Sequence, residues 1–382
     1  MVTSKTSVLV IVTRFSLFAS LLLFNTAILD IPTAEAKYVF SNKWGALGSG
    51  DGQFKYPIGI DVDSSGRAYV VDYLNNRIQQ FKFANPCPSG TTVVASGVCF
   101  VKAWGTAGSA KGEFSLPLGL TLDSSGRIYV AEFGNNRIQM FKGNGALVKA
   151  WGTLGTGDGQ FNGPSDVAVD NAGHIYVVDT NNRRIQKFEL ANPCPSGTTQ
   201  IVAGICFVTK WGTFGTANGQ FIGARGIAVD SSGSVYVADQ NNHRIQKFTS
   251  SGAFVGTWGT QGSSDGQFKY PFGIAVDSLG YVYVTDRENN RVQKFQIQKF
   301  NTSVPCPAGT TQIVFGVCLV AKWGSEGLGK GQFKEPIAVA VDTLGRVYVS
   351  DYGNHRIQVF FWKPSDVGVT GGNINDRDFA IK

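Results

Sequence analysis

Six acid–arginine pairs recur along the chain, and they are the first residues whose types and spacing could do chemistry. Each pair lies in a segment of the form Asp-x-x-Asn-x-Arg, with a Glu replacing the Asp once. The pairs are Asp72/Arg77, Glu132/Arg137, Asp179/Arg184, Asp239/Arg244, Asp286/Arg291 and Asp351/Arg356. They could form a charged ring around a ligand, or they could stabilise a turn through an ion pair and hydrogen bonds. Because a residue needed for one site would occur once, the sixfold repetition favours the structural role.

Histidine and turn carboxylates are the next candidates, since both can bind metals. His243 and His355 hold the same position in two copies of the repeat, whereas His174 lies in a different turn. Turns of the type Asp-Ser-Ser-Gly could suggest calcium, and Asp61 precedes one of them. These turns lack a bidentate acid at their far end, so they offer too few oxygens. The sequence therefore predicts neither a metal nor another cofactor.

The six cysteines fall into three pairs with the same spacing of 12 residues. The pairs are Cys87/Cys99, Cys194/Cys206 and Cys306/Cys318. An even number of cysteines, local pairing and an exported chain predict three disulfides. A metal site is the alternative, but no histidine lies near any pair, and two thiolates alone make a poor zinc site.

The elements that must position these residues are short strands. In the first copy, segments 57–62, 67–71, 77–83 and 98–104 read as four β-strands separated by turn sequences. A Trp-Gly pair ends the fourth strand, and six such pairs occur, at Trp44, Trp104, Trp151, Trp211, Trp258 and Trp323. Four antiparallel strands in each of six copies predict an all-β, six-bladed β-propeller.

The last copy contains only three strands, over segments 336–342, 346–350 and 356–361. A segment ending in Trp-Gly that could serve as the fourth strand occurs only near the N-terminus, at Tyr38–Trp44. The sequence therefore predicts that this strand joins the last blade and closes the ring, which removes an open sheet edge. The propeller is assigned to residues 37–362, and residues 363–382 are interpreted as a polar tail.

The first 36 residues are typical of a secretory signal peptide. Lys5 and Arg14 precede an apolar run over 15–29, and Ala34-Glu35-Ala36 offers a cleavage site before Lys37. An uncleaved membrane anchor is the alternative, because the run is near the lower limit for spanning a bilayer. Both alternatives predict a secreted or extracytoplasmic protein, and both are compatible with association at the cell surface. The net charge of +7 permits acidic glycans or anionic cell-surface polymers as partners.

The repeat resembles the NHL repeat family. The matching residues are Pro-x-Gly-(Ile/Val)-x-Val-Asp, Gly-x-x-Tyr-Val-x-Asp and Asn-x-Arg-(Ile/Val)-Gln, found here at 271–277, 280–286 and 289–293. The resemblance covers about residues 38–362 and implies the propeller fold. The family includes RNA-binding, protein-binding, extracellular sensor and enzymatic members, so the resemblance does not select a function.

Two enzyme classes with similar folds provide alternatives. Zinc-dependent peptide-amidating lyases need several histidines converging on one metal, and His243 and His355 could supply at most two ligands. Six-bladed lactonases place acids at a metal in the channel, and no such set can be assigned in this sequence. With every cysteine paired, no thiol nucleophile remains.

Positions that vary between copies are the best candidates for specific recognition. Because strand direction alternates, the loops before each first strand share a face with the Asp-x-x-Asn turns, here called the front face. The cysteine hairpins and the Asp-Ser-Ser-Gly turns lie on the opposite, back face. Two front-face positions vary, the one after the Pro-type residue and the one after the acid: Ile58, Leu118, Ser165, Arg225, Phe272 and Ile337; Tyr73, Phe133, Thr180, Gln240, Arg287 and Tyr352.

Aromatic residues and arginine are typical of binding surfaces. The predicted binding residues, here called the front-face set, are Tyr73, Phe133, Arg225, Phe272, Arg287 and Tyr352. The leading hypothesis is an exported, non-enzymatic, monomeric propeller that binds a protein or glycan. A metal-dependent lyase or lactonase is the first alternative. Nucleic-acid binding is the second, and it conflicts with the signal sequence. Asn301 begins a glycosylation sequon.

Overall fold

A computed structural model describes residues 37–298, residue 300 and residues 304–363. Six antiparallel sheets form an all-β propeller, and their innermost strands contact one another around a closed ring. The predicted signal sequence, residues 364–382 and Asn301 lie outside the described residues. Within these ranges, no helix has both the length and the apolar character needed to cross a membrane.

The strands follow the repeat. The N-terminal strand and blade 1 contain β1 Lys37–Trp44, β2 Pro57–Val62, β3 Ala68–Asp72, β4 Arg77–Phe83, β5 Thr92–Ala95 and β6 Val98–Trp104. Blade 2 contains β7 Pro117–Leu122, β8 Ile128–Glu132, β9 Arg137–Phe141 and β10 Leu147–Trp151. Blade 3 contains β11 Pro164–Val169, β12 Ile175–Asp179, β13 Arg184–Glu189, β14 Thr199–Val202 and β15 Ile205–Trp211.

The second half of the ring repeats this order. Blade 4 contains β16 Ala224–Val229, β17 Val235–Asp239, β18 Arg244–Phe248 and β19 Phe254–Trp258. Blade 5 contains β20 Pro271–Val276, β21 Tyr281–Asp286, β22 Arg291–Ile297, β23 Thr311–Val314 and β24 Val317–Trp323. Blade 6 contains β25 Pro336–Val341, β26 Val347–Asp351 and β27 Arg356–Lys363. Single 3-10 turns span Tyr73–Asn75, Thr180–Asn182, Gln240–Asn242, Arg287–Asn289 and Tyr352–Asn354.

Strand register places the two variable positions on one face. Pro57, at the start of the inner strand, pairs with Asp72, at the end of the second strand. Val62, at the other end, pairs with Ala68 next to the back-face turn. Each inner strand therefore begins beside the Asp-x-x-Asn turn of its own blade, as the alternation of strand direction predicts.

The apolar core lies between neighbouring sheets. All five residues of each second strand are buried in blades 1–4 and blade 6. A Phe in every interblade loop is fully buried, at Phe54, Phe114, Phe161, Phe221, Phe268 and Phe333. Each blade thus buries its apolar faces against the blades beside it, and stability depends on the ring as a whole.

The N-terminal strand closes the ring, as predicted. It pairs antiparallel with β27 from Lys37↔Lys363 to Trp44↔Ile357, so blade 6 has four strands. Tyr38 stacks on Trp323 of blade 5 with ring centroids 4.1 Å apart. At the other end of the strand, Trp44 is buried against Phe81 of blade 1 at 5.3 Å. One strand therefore connects three blades.

The three long blades differ from the four-stranded prediction. In blades 1, 3 and 5 the cysteine segment forms an additional outer strand, which gives these sheets five strands. This strand has only four residues in each long blade, and none of them is fully buried. The outer strand therefore shows no clear alternation of buried and exposed residues, and the sequence indicated only a hairpin at this place.

All three predicted disulfides are present, and each joins cysteines 12 residues apart. The bonds are Cys87–Cys99, Cys194–Cys206 and Cys306–Cys318. The sequence placed both cysteines of each pair in one back-face hairpin, but it did not show that the two cysteines differ in burial. The second cysteine of each pair is fully buried, because it lies in a strand that pairs with the third strand of its blade: Cys99, Cys206 and Cys318.

The first cysteine of each pair is half-buried, at Cys87, Cys194 and Cys306. Each disulfide therefore fastens an exposed outer segment to a buried position in the sheet. The three bonds also indicate an oxidising, extracytoplasmic environment.

Candidate functional site

The acid–arginine pairs act within the scaffold. Asp179 is fully buried and accepts hydrogen bonds from Arg184 Nε at 2.7 Å, Asn162 N at 2.7 Å and Asn182 Nδ2 at 2.8 Å. The Nη atoms of Arg184 donate to three loop carbonyls at 2.6–2.9 Å. In all six copies the Arg Nε lies 2.5–2.9 Å from a carboxylate oxygen of the acid. The pairs fasten each interblade loop to a turn.

Two of the three histidines connect neighbouring blades. His355 Nδ1 accepts the Tyr56 N–H at 3.1 Å, and His243 Nδ1 accepts the Tyr270 N–H at 3.2 Å. In three other copies an Asn Oδ1 accepts the equivalent N–H, at Asn76, Asn136 and Asn290. Burial lowers the pKa of His243 and of His355, which favours the neutral acceptor form. Both histidines therefore have a structural role.

The third histidine and the back-face turns are also internally satisfied. His174 Nδ1 lies 2.8 Å from Asp170 Oδ2 in its own turn. Asp63 Oδ1 accepts from the N–H and the hydroxyl of Ser65, and Oδ2 accepts from Tyr69 at 3.1 Å. Among the described residues, no three His, Cys, Asp or Glu side chains gather closely enough to hold a metal ion.

The front-face set converges at the centre of the ring. Ile58, Leu118 and Ile337 form a buried apolar floor at the front end of the inner strands. The aromatic members of the set pack against this floor and are half-buried: Tyr73, Phe133, Phe272 and Tyr352. The aliphatic floor therefore comes from the position after the Pro-type residue, which also supplies Phe272, while the other three rings come from the position after the acid.

Arg225 lies among these rings. Its guanidinium carbon is 5.9 Å from the ring centroid of Phe133 and 5.9 Å from that of Phe272. It reaches Phe133 of blade 2 across blade 3, where Ser165 and Thr180 are small and buried. Ser165 Oγ donates to the Arg225 carbonyl at 2.7 Å, which holds the Arg225 backbone in place. Burial, and then the charges of Arg287 and Arg183, lower the pKa of Arg225.

Arg287 differs from the expected free binding residue because it forms an ion pair. Its Nη2 lies 2.7 Å from Glu335 Oε2 of blade 6. The Tyr352 ring packs against Tyr56 in a tilted arrangement with centroids 4.7 Å apart, and Tyr56 also contacts His355. All six members therefore share one surface, but Arg287 contributes a neutral pair to it, whereas Arg225 contributes a charge.

Sequence reasoning missed two residues that contact this set, Glu335 and Tyr56, and Tyr270 at the equivalent position of another copy. Glu335, Tyr56 and Tyr270 occupy the position before the inner strand, where the backbone is left-handed with φ of 52–63°. That position also varies between copies, so comparing the repeats there would have identified it. Gln240, which accepts Arg225 Nε at 3.3 Å, was recognised as variable but was not selected.

Two carboxylates line an inner channel of about 200 Å³ behind this surface. Asp61 accepts the Leu122 N–H at 2.8 Å, and Asp166 accepts the Ile227 N–H at 3.0 Å, so each joins two blades. Burial raises the pKa of Asp61 to about 6 and that of Asp166 to about 7. The equivalent positions in the other copies carry small residues. Comparing the copies at these positions could therefore have identified Asp61 and Asp166 from the sequence.

The channel carboxylates predict a pH-dependent stability. Because their folded pKa values exceed the unfolded value near 4, their contribution is fully present below pH 4 and is lost as the pH rises through 6 to 7. We expect a double variant, Asp61→Thr with Asp166→Gly, to remove a decline on the order of 5 kcal/mol between pH 4.5 and 7.5. Urea unfolding across this range measures the difference from wild type. Equal slopes for the two proteins would contradict the assignment.

Comparison with known proteins agrees with this architecture. The NHL repeat matches residues 54–81, 114–141, 161–188, 221–248, 268–295 and 333–360. The chain belongs to the NHL repeat family.

The chain is 34% identical over 94 residues to human NHL repeat-containing protein 3, covering 23% of each chain. It is 51% identical over 43 residues to the B-box type zinc finger protein ncl-1 of Caenorhabditis elegans, covering 11% of this chain and 5% of that protein. The chain thus spans a quarter or less of these relatives.

Solved structures with the same fold have diverse functions. A streptogramin B lyase matches with a TM-score of 0.51 and 14% identity, over 85% of this chain and 98% of the lyase. A gluconolactonase from Xanthomonas campestris matches with a TM-score of 0.53 and 12% identity, over 87% and 91%. A Bacteroides thetaiotaomicron protein of unknown function matches with a TM-score of 0.57 and 16% identity, over 86% and 77%. At these identities the similarity is one of fold.

Proposed function

We propose that this chain is an exported, non-enzymatic propeller that binds a protein or glycan through the centre of its front face. The observation that carries the proposal is the convergence of the front-face set. Residues from five blades, each departing from the repeat, meet around an apolar floor and the Arg225 guanidinium. Half-buried aromatic rings and arginine are the side chains that contribute most to binding energy at interfaces.

The distribution of charged groups supports recognition over catalysis. The acid–arginine pairs hold the loops, and His243 and His355 act as hydrogen-bond acceptors between blades. Each oxygen of the two channel carboxylates accepts a backbone N–H. These groups are held by partners within the scaffold, whereas the front-face aromatic rings are half-buried and leave part of their surface open to solvent.

The location and assembly follow from the same reading. Export is supported by the N-terminal signal sequence and by the three disulfides. With the ring closed by its own N-terminal strand, the protein is proposed to act as a monomer. It would be free outside the cytoplasm or held at the cell surface by its partner.

The proposal is tested by using the mature protein as bait in the extracellular fraction of its own cells. We expect the combined variant Phe133→Ala with Tyr352→Ala to bind a captured partner at least about 30-fold more weakly, because both rings lie in the contact. Leu344→Ala is the matched control, since Leu344 is a back-face residue with 77% exposure. Equal loss in the control, or full binding by the double variant, would refute the assignment of this face.

Metal analysis of the same preparation distinguishes the binding proposal from the alternative of a metal-dependent enzyme. A metal-dependent lyase or lactonase would purify with stoichiometric zinc or calcium, or gain activity when either is added. The binding proposal expects neither. Nucleic-acid binding would instead show an affinity for oligonucleotides that falls steeply with salt.

A further inference from the structure

We propose that the front-face centre recognises a carboxylate next to an apolar side chain of a peptide, with the carboxylate on Arg225 and the side chain on the floor of Ile58, Leu118 and Ile337. This inference rests on the proposed function and specifies its ligand chemistry. It follows from one guanidinium with unused donors beside one apolar surface.

The donors of Arg225 are largely unused. Its Nε donates to Gln240 Oε1 at 3.3 Å, a long hydrogen bond. Among the described residues, neither Nη atom has a hydrogen-bond acceptor, and no carboxylate lies within ion-pair distance of the guanidinium. The scaffold Arg184, by contrast, donates from Nε and both Nη atoms to four acceptors. Arg225 therefore presents a free planar fork, the geometry that pairs with a carboxylate.

The surroundings of Arg225 carry excess positive charge. The nearby Arg287 is neutralised by Glu335. Arg183 is not: its Nη1 donates to the carbonyls of Thr180 and Asn181, and its buried Nε has no hydrogen-bond partner. Arg287, even though it pairs with Glu335, and Arg183 both repel the charge on Arg225 and so lower its pKa. An anion bound at Arg225 would offset this repulsion and would supply a hydrogen-bond acceptor for the Nη atoms of Arg225.

The floor beneath favours a peptide over an acidic sugar. Ile58, Leu118 and Ile337 are only 6%, 7% and 3% exposed, and they offer no polar side-chain atom. A uronic acid lying on this floor would place hydroxyl groups against three side chains that offer no hydrogen-bond partner, which costs free energy. An apolar residue next to a carboxylate instead buries its side chain between the flanking rings. A chain-terminal carboxylate and an acidic side chain both supply this chemistry.

The test compares defined probes with the whole mature protein. The first pair is a hexapeptide pool ending in Leu, prepared as the free acid and as the C-terminal amide. The second pool has both ends capped and an internal Glu-Leu pair, and an oligogalacturonate is the glycan probe. Fluorescence polarisation at low and moderate salt gives the affinities. We expect one carboxylate form, terminal or internal, to bind at least about tenfold more tightly than the amide.

Variants connect the preference to Arg225. Arg225→Gln is expected to abolish the advantage of the carboxylate, and Arg225→Lys to retain part of it, because Lys keeps the charge but loses the fork. Arg67→Gln is the control, since Arg67 lies in an exposed back-face turn. Thermal unfolding of each variant verifies its fold.

The outcomes separate this inference from the proposed function. Equal binding of acid, amide and capped pools, or binding of the oligogalacturonate alone, would overturn the peptide carboxylate. If Phe133→Ala with Tyr352→Ala still weakened partner capture in that case, the front face would stand as the binding site with another ligand. An absence of binding by every probe would also overturn the inference. If the front-face variants kept both the capture of the partner and the binding of the peptide, both proposals would be overturned.

Discussion

Removal of residues 37–44 is expected to abolish the cooperative unfolding transition of the monomer. These residues supply the fourth strand of blade 6, and their loss exposes the edge of β27. They also remove Tyr38, which stacks on Trp323, and the buried Trp44, which packs on Phe81. Losing one such buried aromatic costs about 3–5 kcal/mol, and an open edge promotes aggregation. Denaturant unfolding and size-exclusion chromatography measure the effect.

Point variants grade this effect within the same strand. Trp44→Ala is expected to lower the free energy of unfolding by about 3–5 kcal/mol. Ser41→Ala is the control, because Ser41 is exposed at the irregularity between Phe40 and Asn42 and is expected to change stability by less than about 0.5 kcal/mol. If the truncated protein unfolded like the protein that begins at Lys37, ring closure by this strand would be wrong.

Replacement of one scaffold acid, Asp179→Ala, is expected to have the second largest effect. The change leaves Arg184 only 7% exposed and without its carboxylate, and it removes the acceptor for Asn162 N–H. Breaking a buried ion pair by removing one partner costs about 3–5 kcal/mol. The loop over 152–163 is therefore expected to loosen together with the global loss. Urea unfolding gives the energy, and limited proteolysis locates the loosened segment.

A nearby exposed pair provides the control. Asp158 lies in the same loop, 2.7 Å from Lys210, and both side chains are well exposed. Asp158→Ala is expected to cost at most about 1 kcal/mol, because solvent screens the pair. Similar losses in the two variants would mean that the acid–arginine pair does not fasten the loop.

Much of the fold was predictable because the repeat records it six times. The Trp-Gly pairs and turn sequences marked strand boundaries, and the three-stranded last copy pointed to Tyr38–Trp44 as the closing strand. The outer strands of the long blades were not predictable in the same way. Segments such as Thr92–Ala95 have no fully buried residue, so they carry neither a buried face nor a clear alternation.

Part of the candidate site's membership was predictable from the sequence, but the pairing of its residues was not. Strand direction placed the front-face set on one side, and the structure brings all six residues together. Sequence could not show that Glu335 neutralises Arg287, or that no carboxylate among the described residues pairs with Arg225, because such relations join side chains of different blades. Arg225 reaches Phe133 only because Ser165 and Thr180 leave space above blade 3, which is a property of packing around the ring.

Hydrogen exchange of the mature protein, free and with its captured partner, tests the central claim most directly. The front-face account predicts slowed exchange in peptides covering the turns at 73–76, 133–136 and 352–355 and the starts of the inner strands at 224–226 and 271–273. The back-face turns and the cysteine hairpins are predicted to exchange at unchanged rates. Protection confined to the cysteine hairpins or to the back-face turns would contradict the account.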